Sequence, residues 1–118
     1  MLVLAGCGTP ERIVLQPPGP PVGVDGRYRG TVRLVRAEIK GCSKSNPRVM
    51  QVTNGLISLG YTPGSGQRAT LTTTIEGNGG IHASDGVGTM EGEAKGGRLE
   101  FTIASSVCEH HFSMLRVN

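Results

Sequence analysis

From Gly26 onward, apolar and polar residues alternate. In the run Arg27-Tyr28-Arg29-Gly30-Thr31-Val32-Arg33-Leu34, one parity holds Tyr28, Gly30, Val32 and Leu34. The other holds Arg27, Arg29, Thr31 and Arg33. A period of two with one polar side predicts a strand buried on one face. The phase breaks at Val35-Arg36, as it does at a β-bulge. A connection from Gly41-Cys42 to Pro47 follows, and then short alternating runs recur between turn signals. Asn54-Gly55, a strong hairpin signal, separates Arg48–Thr53 from Leu56–Tyr61. After a loop from Pro63 to Gly66, Ala69, Leu71, Thr73 and Ile75 alternate with polar residues. Further turns lead into strands at Ile81–Ser84, Val87–Ala94 and Arg98–Ser105, the last with Leu99, Phe101 and Ile103 inward. The segment Cys108 to Val117 closes the chain.

This pattern predicts an all-β domain over residues 26–118, a small antiparallel meander of about eight short strands. Unprotected strand edges invite pairing with other chains. A closed or half-closed barrel removes or shortens them, and is the expected architecture. Gly88 and Gly92 interrupt predicted strands, as bends at barrel corners do.

Composition limits the core. Leu, Ile, Val and Phe make up 28 of 118 residues, above the ~20% below which disorder is the default. With no Trp, two Tyr and two Phe, there is little aromatic surface on which bases could stack, so no nucleic-acid partner is expected. The net charge is +3 and is unevenly placed. Residues 1–50 carry eight basic and three acidic groups, and residues 51–118 carry four basic and six acidic ones. Arg27, Arg29 and Arg33 share the polar parity of the first strand and form a possible binding face for anionic lipid or an acidic partner.

Leu4-Ala5-Gly6-Cys7, preceded by Met1-Leu2-Val3, resembles the lipobox of bacterial lipoproteins at every position. The resemblance implies that the Cys7 thiol is acylated and that residues 1–6 are the residual signal peptide. Residues 7–25 would then be the lipid anchor site and a Pro-rich linker, with five of the seven prolines between Pro10 and Pro21. Such sequence is stiff and extended, at roughly 3.1 Å per residue. The implied location is the bacterial cell envelope, lipid-anchored at the outer membrane and facing the periplasm. No run approaches the ~18 apolar residues of a membrane-spanning helix, so the membrane is a partner through the N-terminal lipid. With Cys7 lipidated, Cys42 and Cys108 remain as a pair suited to a disulfide in an exported protein. In a closed meander the first and last strands are neighbours, which would bring these sulfurs together. The competing reading is a metal site at Cys108, His110 and His111, but it lacks the second close ligand pair of familiar zinc signatures.

Gly26-Arg27-Tyr28-Arg29-Gly30 and Phe112-Ser113-Met114-Leu115-Arg116 also resemble the first and last strands of small periplasmic and outer-membrane lipoprotein domains. One such family is the lipoprotein-like barrel that inhibits metalloproteases by inserting a free N-terminal trunk. Acylation at Cys7 would occupy that trunk, and the tryptophan common in such barrels is missing.

Motifs for chemistry are sparse. There is no Gly-x-Ser-x-Gly, His-Glu-x-x-His or Walker loop, and no cofactor motif. Glu109-His110-His111 is the one titratable cluster, and on a strand its two histidines point to opposite faces. His82 is the remaining histidine, which a metal or acid–base site would recruit across strands. No nucleophile with an orienting partner can be named. The expectation is therefore a non-enzymatic, lipid-anchored protein whose β-domain binds a protein or envelope component. The alternatives are an inhibitor-like barrel, and a metal-binding or enzymatic domain using Glu109 and the histidines.

Overall fold

The period-two alternation becomes eight strands in the computed structural model, which describes residues 23–117. They are β1 (Gly26–Ala37), β2 (Asn46–Val52), β3 (Leu56–Tyr61), β4 (Ala69–Thr74), β5 (Gly80–Ser84), β6 (Thr89–Lys95), β7 (Arg98–Ala104) and β8 (Cys108–Val117). All pairings are antiparallel, and no helix occurs among the described residues. Six strands form one sheet in the order β2-β1-β8-β7-β6-β5. The other two form the ribbon β3-β4. Cys7 and the Pro-rich linker before Gly23 lie outside the described residues.

Sequence neighbours remain spatial neighbours, and the ribbon lies between the two edges of the large sheet. On the β5 side, the Thr73 hydroxyl donates to the His82 carbonyl at 2.7 Å, and Glu76 N donates to Gly80 O at 2.9 Å. On the β2 side, the connection is the Asn54-Gly55 turn. Its φ values of 55° and 73° are both positive, as the type I′ hairpin turn requires. The Asp25 carboxylate caps it, accepting Asn54 N at 2.7 Å and Gly55 N at 2.8 Å. Past the single bridge Thr53–Leu56, however, no ladder joins β2 to β3. The predicted hairpin keeps its turn, but its strands part: β2 follows β1 into the large sheet, while β3 pairs with β4. The barrel is half-closed as a result.

One face of every strand fills the interior. Tyr28, Val52, Ile57, Ile75, Ile81, Met90, Leu99, Phe101 and Met114 are all almost wholly buried. Phe101 and Phe112 are cross-strand partners, and their rings stack with centroids 4.6 Å apart. The predicted bulge is present, because the β1–β8 register shifts between Leu34 and Arg36. Gly92 lies opposite Phe101. A Cβ there would collide with the Phe101 backbone and the Glu100 carbonyl, so the glycine permits a close β6–β7 approach. Gly88 has a different role from the predicted strand bend. It lies before β6, and the Tyr61 ring covers it where a Cβ would stand. β6 starts at Thr89 rather than Val87, because the Asp85 carboxylate accepts both Val87 N and Gly88 N and lengthens the turn.

β1 and β8 pair from Arg27–Val117 to Ala37–Cys108. At the Cys108 end, a disulfide joins Cys42 and Cys108 with Cα atoms 5.6 Å apart. It ties the β1–β2 connection to the first residue of the last strand. Cys42→Ser and Cys108→Ser should each destabilise the domain by about 2–5 kcal/mol, and the double variant no more than either alone. Denaturant unfolding of the four proteins measures this. Additive losses would mean that the cysteines contribute separately rather than as one bond.

Candidate functional site

β1 runs beside β2 and β8, so its outward residues form rows with theirs. Arg27 lies between Gln51 and Val117, and Arg29 lies between Val49 and Leu115. Arg33 stands opposite His111 on β8. All three arginines are exposed, as their sequence parity predicts. Val49 and Leu115 are 52% and 54% exposed, so the Arg29 row is cationic at its centre and apolar on both sides. No ion pair among the described residues involves Arg27, Arg29 or Arg33. Arg36 on the same strand differs. Its guanidinium donates to Ser105 O at 2.6 Å and Ser106 O at 3.2 Å, and it pairs with Glu109 at 3.5 Å. It braces the β7–β8 turn and adds nothing to the free basic face.

The histidines are kept apart. His110 points inward and its Nε2 donates to the Ser43 carbonyl at 2.7 Å, since a carbonyl can only accept. His111 points outward, with Nδ1 at 3.1 Å from Thr102 Oγ1 and Nε2 at 3.2 Å from Glu100 Oε1. His82, on β5, has Glu91 at 3.2 Å and Glu76 at 3.7 Å. Two strands separate β5 from β8 in the sheet, so His82 is roughly 14 Å from the other two at ~4.8 Å per strand. Glu109 pairs with Arg36 rather than with a histidine. Among the described residues, no three His, Cys, Asp or Glu side chains come together as a metal site.

A second surface was not singled out by the strand pattern. Arg48 shares the inward parity of Met50 and Val52 and is half-buried. Its guanidinium lies over the Phe112 ring, 5.7 Å from the centroid. Together with Arg68, His110, Asn46 and the end of β3 at Gly60-Tyr61, it lines a cleft at the mouth of the barrel. The cleft holds about 40 Å³, room for roughly three water molecules. Among the described residues its lining includes two arginines and no carboxylate, and its walls include Val32, Ile103 and Phe112. The available signal was an arginine on the apolar parity of a strand.

Two carboxylates are perturbed by hydrogen bonds. Backbone N–H donation from Gly88 holds Asp85 below the usual carboxylate range, with help from the Tyr61 hydroxyl and Val87 N. The Tyr61 hydroxyl is pushed up, chiefly by the same bond to Asp85. Glu100 is lowered by Ser113, whose hydroxyl donates at 3.0 Å, and by His111 and Arg98.

No family model matches this chain, and no curated protein or solved structure shows significant similarity to it.

Because the folded Asp85 has a depressed pKa, its stabilisation is complete above its unfolded value of about 3.9. That stabilisation is lost as pH falls through the lower folded value. Asp85→Asn should therefore weaken the domain at neutral pH and flatten the acid limb of its stability profile. Urea unfolding between about pH 7 and about pH 3 reads both effects. An unchanged acid limb in Asp85→Asn would remove Asp85 from the acid response.

Proposed function

We propose that this chain is a non-enzymatic, lipid-anchored protein of the bacterial cell envelope whose β-domain binds an acidic protein or envelope component. Arg27, Arg29 and Arg33 form the contact face, and Cys7 carries the lipid. The observation that carries the reading is the row Val49-Arg29-Leu115 on the open face of β1, with Arg27 and Arg33 on either side. Exposed arginines beside exposed aliphatic side chains combine charge pairing with apolar burial, as contact surfaces between proteins do. The guanidinium fork also suits carboxylate and phosphate oxygens. The lipobox-like Leu4-Ala5-Gly6-Cys7 supports the anchor, and the Pro-rich linker would lead from it directly into β1.

The test has two arms. A fatty-acid analogue should label the wild type and not Cys7→Ser. With the anchor thus removed, retention of Cys7→Ser on isolated envelopes should fall as salt rises, because exposed charges are screened. Reversing Arg27, Arg29 and Arg33 to Glu should lower that retention by about tenfold or more. Equal labelling of both proteins would contradict the anchor. Salt-independent retention that survives charge reversal would contradict the basic face.

A further inference from the structure

The half-closed barrel has a gap between β2 and β3, and its wider end is chemically distinctive. β2 is the last strand of the large sheet, and β3 is the last strand of the ribbon. Among the described residues, each has a neighbour on one side only. Past the Thr53–Leu56 bridge, no backbone hydrogen bond joins them among the described residues. Edge strands normally carry features that block further pairing. Here Pro47 removes one donor from the open stretch Asn46–Arg48 of β2, whereas the facing Gly60-Tyr61-Thr62 holds no proline. Toward the turn the gap is closed by buried Met50, Val52, Ile57 and Leu59. Toward the disulfide end it opens into the cleft between Asn46-Arg48 and Gly60-Thr62.

We propose that this open end takes an extended, acidic peptide as an added strand between β2 and β3. Main-chain groups of the peptide would pair with the free edges, the recurring mode of strand addition. The open stretch fits about three residues at ~3.3 Å each. In a strand, alternate side chains point to opposite faces. The central residue would point into the cleft, which Arg48, Arg68 and His110 line with no carboxylate among the described residues. Arg48 is already placed there by Phe112, so little further ordering is needed for it to meet a carboxylate. The peptide's two flanking side chains would point outward, beside exposed Val49 on β2. Arg27, Arg29 and Arg33 stand on β1, one strand beyond β2, so the two surfaces share Val49 but not the arginines.

The test selects a displayed library of random, unstructured heptapeptides on the purified full chain. Recovered peptides should share an acidic residue with aliphatic or β-branched neighbours. Synthetic peptides should bind at least tenfold more weakly to Arg48→Glu and to Arg68→Glu, and equally well to the Arg27/Arg29/Arg33 reversal. Arg68 is exposed, so its variant keeps the test valid if Arg48→Glu does not fold. N-methylation of alternate peptide bonds should also abolish binding, since it removes main-chain donors. Recovery of no peptides, or of peptides without the acidic residue, would overturn the proposal. So would binding that is indifferent to both variants or to N-methylation, or a gap already filled by a second copy as a stable dimer in solution.

Discussion

The first and last strands of the domain lie side by side, and the remaining strands take their places from that pairing. β1 and β8 form the middle of the six-stranded sheet, running together from Arg27–Val117 to Ala37–Cys108. Contacts so remote in sequence carry a large loop-closure cost. The Cys42–Cys108 bond offsets part of it by restricting the unfolded chain. Arg36 reinforces the same end through Ser105 O and Ser106 O. The Ser105 hydroxyl in turn donates to Thr62 O at 2.7 Å, which ties the β7–β8 turn to the end of β3. Polar bonds therefore gather at the end of the barrel where the strands part.

The apolar core is thin, and geometry compensates for its size. Stacked Phe101 and Phe112 span adjacent strands at the centre, and Gly92 lets β6 approach β7 closely. Tyr61 reaches from β3 to the β5–β6 turn, where its hydroxyl meets Asp85 and its ring covers Gly88. This contact anchors the ribbon at one point without giving it a ladder to β2. The ring is incomplete because no ladder joins the ribbon to either edge of the large sheet. The β5 side is held by the Thr73–His82 and Glu76–Gly80 bonds, and the β2 side parts after the Thr53–Leu56 bridge. The seam on the β2 side leaves Arg48 and Arg68 around a cleft instead of buried in a closed barrel.

Much of this was legible in the sequence, for identifiable reasons. Alternation in Arg27–Leu34 and Leu99–Ile103 fixed which residues point inward, because the side-chain period in a strand is two. The phase break at Val35 marked the bulge, and the cysteine pair marked the bond. Local turn chemistry was also readable, since Asn54-Gly55 adopts the positive φ values expected of it. What the turn could not reveal was that β2 and β3 diverge after it. That outcome depends on β1 competing for β2 and β4 for β3, which is a long-range matter. The cleft was hidden for the same reason: Arg48, Arg68 and His110 come from separate segments and meet only at the seam. The exposed arginines of β1 were visible from parity alone, but the apolar neighbours Val49 and Leu115 required the cross-strand register.

The central claim is that a firm β1–β8 ladder supports a barrel left open between β2 and β3. Native-state amide hydrogen exchange, resolved by residue, tests it most directly. Amides shared by β1 and β8 should exchange only through global unfolding. Seam-facing amides of β2 and β3 should exchange at least about a hundredfold faster. Equal protection of the β2–β3 edges and the β1–β8 ladder would contradict the account, because it would mean that the barrel is closed and the seam already paired.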